Sequence, residues 1–332
     1  MDIPKTGEGA TAPSAVWSRG LHSIDALRGL AVVLMFLHHF PKWLMIDSDN
    51  SVAYALMFIA SRFSAPLFLL IVGLCLVLSA ERKQDKRAAI EHTLKKGIFL
   101  MLSGFLLNII IYAPLPELNI LHTIGLSMIL IAPAAINPSA AKSTASLTII
   151  FAASILAPSI PQLKDIPGSF QFPPLPWMIF TMLGVIVGQI ILRLQKNGET
   201  KKVPRHLEVA AVILLLSSLA FVLLGDSFSY YPPTWSFIAL ATAIILYVTA
   251  IFYWIYEVLG KRPAILQPLE TYGIFAYALY FSHHIFVATI PKQLNLLNTL
   301  SETEVLKYML YFLLASWLAL NALQKKRDKQ CS

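Results

Sequence analysis

Apolar stretches of about 17–25 residues recur along this chain, separated by short segments that hold most of its charges. That length, at about 1.5 Å of rise per residue, is what an α-helix needs to cross a bilayer. Ten such segments are predicted, near residues 24–44, 54–80, 97–113, 119–136, 143–159, 175–193, 207–225, 234–257, 271–291 and 304–323. Pro133, Pro138 and Pro158 interrupt the fourth and fifth. The pattern predicts an all-α polytopic membrane protein with about ten transmembrane helices. Residues 1–22 mix Pro, Gly, Ser, Thr and charges without periodicity, so a disordered leader is expected there. They lack the apolar core and cleavage site of a signal peptide. The expected organisation is a leader at 1–22, a transmembrane domain at 23–324 and a basic tail at 325–332. No internal repeat is visible, which disfavours a repeat-built transporter.

Composition agrees with a membrane class. Hydrophobic residues make up 57% and charged residues 13%, where a soluble domain carries about 25% charge. The charges are one-sided. Arg82, Lys83, Lys86, Arg87, Lys95 and Lys96 lie between spans two and three. Arg193, Lys196, Lys201, Lys202 and Arg205 lie between six and seven, and Lys261 and Arg262 between eight and nine. Lys325, Lys326, Arg327 and Lys329 follow span ten. A ten-span alternation puts all of them on one side, with only Lys42, Lys164 and Lys292 opposite. The positive-inside rule then places both termini in the cytoplasm. The net charge of +8 follows from this asymmetry and argues for no nucleic-acid partner. The basic loops serve topology and lipid head groups, or capture a phosphorylated cytosolic ligand. Cys75 and Cys331 make no disulfide framework.

Polar residues inside the spans narrow the chemistry. Arg28 and His39 are eleven residues apart, which returns a helix to within about 20° of its starting direction and spans roughly 16 Å. They share a helix face, and no polar side chain lies between Gly29 and Leu37. His38 lies about 80° away from that direction. In the expected orientation His39, Arg62, Asn108, His122, Trp177, His283 and His284 fall at a similar outer depth, and Arg28 near the inner face. Each has a plain reading as an interfacial anchor, an interhelical hydrogen bond or packing. Tyr277, Tyr280 and His284 form one such packing stripe at i, i+3 and i+7. Arg62 fits these plain readings least, because an intramembrane charge must face protein or water. No glycine-rich phosphate cradle, HExxH or GxSxG motif is present, so no metal is expected except one assembled across helices. An imidazole, titrating near about 6.5 in water, suits general-base catalysis on a hydroxyl or amine.

The segment SIDALRGLAVVLMFLHH resembles the opening of membrane acyltransferases related to heparan-α-glucosaminide N-acetyltransferase. APLFLLIVGLCLVLSAERK, NILHTIGLSMIL and FPPLPWMIFTMLGVIVG resemble their later segments, so the likeness runs from about Ser23 to His284. The Arg28–His39 spacing, and AYALYFSHH with His283, also resemble the acyltransferase-3 family. Many bacterial relatives carry an acidic residue where His38 stands. The resemblance implies acetyl transfer from cytosolic acetyl-CoA to a hydroxyl or amine of a sugar, glycolipid or cell-envelope acceptor outside the membrane. The membrane implied is the bacterial cytoplasmic one, with homodimerisation left open. It implies His39 as base or acetyl carrier and His283 as a second catalytic residue. Arg28 and Asp25 of the IDALRG segment would bind substrate or donor, as would Arg62, Asn108, His122, Trp177 and His284. A secondary transporter using intramembrane His and Arg, and a non-catalytic scaffold, are the alternatives.

Overall fold

The computed structural model describes residues 21–46, 52–83, 85–111, 118–136, 172–231 and 233–330, with positions 149, 152 and 153. Its regular elements are helical. They are α1 (His22–Leu44), α2 (Val52–Ser61), α3 (Ser64–Glu81), α4 (Lys86–Ile110), α5 (Ile120–Ile136) and α6 (Pro174–Lys196). Then come α7 (Val203–Leu223), α8 (Trp235–Tyr253), α9 (Gln267–Ile274), α10 (Ala276–His284), α11 (Ile290–Gln293) and α12 (Glu302–Gln330).

Seven helices among the described residues are long and apolar enough to cross a membrane, and Ile120–Ile136 is a shorter apolar helix. The chain is an all-helical, multi-pass integral membrane protein. Two predicted spans differ in form. The second carries a turn at Arg62 and Phe63 between α2 and α3, yet Met57–Glu81 runs on as one span. The ninth is a pair of helices bent by 78°, with Phe275 outside helical geometry between them. The predicted fifth span, 143–159, lies outside the described residues except at 149, 152 and 153. Most of the predicted leader, 1–20, is also outside them. Part of the predicted tail is helical, because α12 runs on to Gln330.

Lipid tails are as apolar as leucine, so helices in a membrane associate through close packing and hydrogen bonds. Glycines supply the close packing here. A Cβ on Gly29 of α1 would overlap the Leu269 carbonyl, and one on Gly273 of α9 would overlap the Asp25 carbonyl. The same reciprocal contact joins α3 to α6, where Gly73 meets Thr181 and Gly184 meets Leu70. Only a residue without a side chain lets the backbones approach so closely.

The far end of α1 is held by the loop before α12. Ile46 N donates to the Leu300 carbonyl (3.0 Å), Leu300 N to Leu44 (2.9 Å) and Asn298 N to Trp43 (3.1 Å). Asn295 and Asn298 take the left-handed turns of this loop, at φ 55° and 54°, a region asparagine tolerates well. The α9–α10 pair and α12 are thereby seated beside α1. An aromatic cluster fills the contact, with Phe36 packing on Phe312 and on the His283 ring, each at 5.3 Å.

Candidate active site

A cavity of about 780 Å³ lies against the last turns of α1 and the turn between α2 and α3. His38, His39, Arg62, Asn108, Tyr280 and His284 all reach it. The volume is that of a small-molecule site.

His39 is its chemical centre, with His283 packed behind it and not itself lining the cavity. His39 Nδ1 and His283 Nε2 are 2.8 Å apart, and the two rings are stacked at 5.0 Å with 8° between their planes. His283 is fully buried, and its Nδ1 lies 3.0 Å from the Leu279 carbonyl oxygen. A carbonyl only accepts, so His283 carries its proton on Nδ1 when neutral. Its Nε2 is then a lone pair, and the proton in the 2.8 Å contact belongs to His39 Nδ1. Neutral His39 is left with an unprotonated Nε2, the state a general base requires. One backbone carbonyl therefore sets two tautomers in series.

His284 packs on His283 at 4.1 Å and on Tyr280 at 5.3 Å. Neither of its ring nitrogens has a hydrogen-bond partner among the described residues, although the residue is 6% exposed. His39, His283 and His284 each offer a ring nitrogen within 4.8 Å of the others, a set able to hold a metal ion. This is the across-helix arrangement that sequence spacing does not reveal. The His39–His283 hydrogen bond and the Leu279 contact satisfy three of their six ring nitrogens without one. Immediately after His284 the helix opens into a π-helical stretch, Ile285–Thr289, a feature common at functional sites.

His38 also lines the cavity. Its Nδ1 is 3.3 Å from Ser61 Oγ, whose own hydroxyl donates to the Phe58 carbonyl at 2.7 Å. The helix-face arithmetic separates His38 from His39, but the cavity curves around the end of α1 and meets both. Asn108 is anchored from the residue before α5, where Asn119 Nδ2 donates to Asn108 Oδ1 (3.0 Å) and to the Gly104 carbonyl (3.2 Å).

Other residues singled out in the sequence lie off the cavity. His122 accepts from Asn119 N at 3.1 Å and packs edge-on against Phe105, so it reaches Asn108 only through Asn119. Trp177 is completely buried and stacks edge-on against Phe172 and Tyr230, forming a wall behind the cavity. Arg28 donates to Asp25 Oδ1 (2.9 Å), the Gly273 carbonyl (3.3 Å) and Cys75 Sγ (3.4 Å). It shares the His39 face, but Val32 on that same face is fully buried in the core between them.

Sequence reasoning missed Asn119, Ser61, Phe58 and Tyr230. Asn119 carried a local signal, since it stands three residues before His122 in NILHTIG. Tyr230 carried none, because it comes from a loop far from Arg62 in sequence.

No curated protein matches the chain. The family described as heparan-alpha-glucosaminide N-acetyltransferase, catalytic, matches residues 21–223, more than half of the chain. That stretch holds α1 to α7, and with them His39, Arg62 and Asn108, while His283 and His284 lie beyond it. The chain therefore belongs to the heparan-α-glucosaminide N-acetyltransferase catalytic family and is a multi-pass membrane transferase.

Proposed function

We propose that this protein moves an acetyl group from acetyl-CoA to an amine or hydroxyl of a sugar-like acceptor inside the His39 cavity. The observation that carries the reading is the fixed tautomer chain, Leu279 carbonyl to His283 to His39. His39 Nε2 takes the acceptor's proton as its nitrogen or oxygen attacks the thioester carbonyl. The carbon–sulfur bond then breaks, and the proton passes to the departing CoA sulfur. A positioned base of this kind contributes about 10²–10⁴-fold. Asn108 lines the same cavity and is the candidate donor to the carbonyl oxygen as it gains charge. His284, with Tyr280 beside it, contacts substrate. His122 and Trp177 support Asn108 and Tyr230 from behind. Arg28, with Asp25, is assigned to the donor end, where a guanidinium suits phosphate.

The topology that goes with this reading has ten spans and both termini in the cytoplasm. Its support is the one-sided placement of Lys and Arg. The transmembrane domain is 23–324 between an N-terminal leader and a basic tail. The donor arrives from the cytosol and the acceptor, a glycolipid or cell-envelope sugar, from outside a bacterial cytoplasmic membrane. The broadly apolar outer surfaces of α4, α7 and α12 face lipid or a second copy of the chain.

One observation favours a transporter instead, namely the 78° break between α9 and α10 beside the cavity. A repeat-built transporter breaks helices in both of its halves, and no second bent pair of this kind occurs among the described residues.

Purified protein given acetyl-CoA and an amino-sugar acceptor should release CoA thiol. His39→Ala should cut the rate by about 10²-fold or more while acetyl-CoA binding persists. Wild-type protein that binds acetyl-CoA and transfers to no amino sugar or hydroxyl acceptor would overturn the reading. His38→Ala should retain most activity, and the reverse ranking of the two mutants would move the base to His38.

A further inference from the structure

Arg62 is a permanent cation at the α2–α3 turn, inside the second span. Its guanidinium carbon lies 3.8 Å from the centroid of the Phe58 ring and 4.3 Å from that of Tyr230. Tyr230 is itself braced by Trp177 and Phe237, each edge-on at 5.4 Å. The guanidinium thus lies against two rings, and the position of Tyr230 is set by packing.

What Arg62 lacks among the described residues is a counter-charge. Arg28, a partly buried arginine, is matched inside the protein by Asp25. Arg62 pairs with no carboxylate among the described residues. Lys42, exposed on the same cavity, is equally unmatched, and none of the described lining residues is Asp or Glu. An intramembrane cation is costly unless an anion or water meets it. Ring contacts offset only part of that cost. Its N–H edges, five donors in all, are not satisfied by ring contacts. Those edges form a planar fork that matches the paired oxygens of a carboxylate, sulfate or phosphate.

We propose that Arg62, assisted by Lys42, is an oxyanion-binding site of this cavity. It receives a carboxylate, sulfate or phosphate group of a ligand whose reactive end lies at His39. The site deepens the transfer reading and rests on it only for which substrate brings the anion. Two sources share the chemistry, an acidic sugar acceptor and the phosphates of the acyl donor.

The test is equilibrium binding, which needs no turnover. The full chain in a zwitterionic detergent is titrated calorimetrically with two matched pairs: glucosamine 6-sulfate against glucosamine, and CoA against pantetheine. In at least one pair the anionic member should bind about tenfold or more tightly, the scale of one charge-assisted hydrogen bond. Arg62→Gln should bring that ratio close to one and leave the uncharged-end partner's affinity in place. Arg62→Lys should retain part of the preference, and Lys42→Gln should lose a smaller part. If Arg62→Gln loses its thermal unfolding transition, the lysine variant and Lys42→Gln carry the comparison. Loss of discrimination in the sugar pair assigns the oxyanion to the acceptor, and loss in the CoA pair assigns it to the donor. The proposal is overturned if wild type prefers neither anionic member, or if the Arg62 variants weaken both members of a pair equally. Thiol release is measured separately, so a chain that binds the anion yet transfers nothing refutes the transfer reading alone.

Discussion

Replacing His283 by Phe keeps a buried ring and removes both ring nitrogens. In the native site His283 accepts the His39 Nδ1 proton at 2.8 Å and is itself oriented by the Leu279 carbonyl at 3.0 Å. In the mutant the His39 Nδ1–H has no acceptor, and a buried donor left unsatisfied costs about 1–3 kcal/mol. His39 then escapes part of that cost by moving its proton to Nε2 or by turning its ring toward the cavity. Either change removes the free Nε2 lone pair from the reacting position. At about 1.36 kcal/mol per decade, 1–3 kcal/mol corresponds to roughly a 5–150-fold loss in kcat. The loss should fall on kcat, because the interaction tunes the base and touches no substrate. The assay is thiol release at saturating acetyl-CoA and acceptor, with thermal unfolding checked in parallel. His283→Gln, whose amide oxygen can accept from His39, should recover part of the lost rate. A His283→Phe enzyme with native kcat would refute the tautomer argument. So would Phe and Gln variants of equal activity, since the role would then be packing alone.

Gly73→Ala should lower the thermal unfolding midpoint by several degrees, because its Cβ would overlap the Thr181 carbonyl and force α3 from α6, an overpacking cost of about 1–3 kcal/mol. An unchanged midpoint would show that the two backbones have room to separate. Arg28→Ala should weaken acetyl-CoA binding and spare acceptor KM. Equal donor affinity in wild type and mutant would confine Arg28 to joining α1, α3 and α9 through its three hydrogen bonds. Single cysteines placed in the 196–202 loop of a cysteine-free chain should react with impermeant maleimide only after the membrane is opened. Labelling from outside intact cells would reverse the topology.

Much of the fold was legible in the order of residues. Crossing a bilayer demands long apolar helices, and that demand writes itself into local composition wherever a helix is continuous. Thus α1, α4, α6, α7, α8 and α12 coincide with runs visible in the sequence. The turn at Arg62 and the break at Phe275 were not predicted. Both fall inside apolar runs; the first has one local mark that was not used, Pro66, which cannot donate to the Arg62 carbonyl four residues back. The second of them depends on how α9 fits against Gly29 of α1.

The candidate site divides in the same way. The sequence by itself marked His39, Arg62, Asn108, His283 and His284, because polar groups are rare and costly in hydrocarbon and stand out singly. It also carried the signature of the family. It could not say which of them touch. Arg28 and His39 share a helix face by local geometry, yet Val32 is packed between them by helices distant in sequence. His39 and His283 are separated by 244 positions, and their contact exists only because the α9–α10 pair is seated against α1. Tyr230 closes on Arg62 from a loop 168 positions away. Hydrogen bonds and cation–π contacts act over a few ångströms in space, whereas a chain records only neighbours along its length. The tautomer chain, and a cation with no carboxylate partner among the described residues, are therefore properties of the tertiary packing.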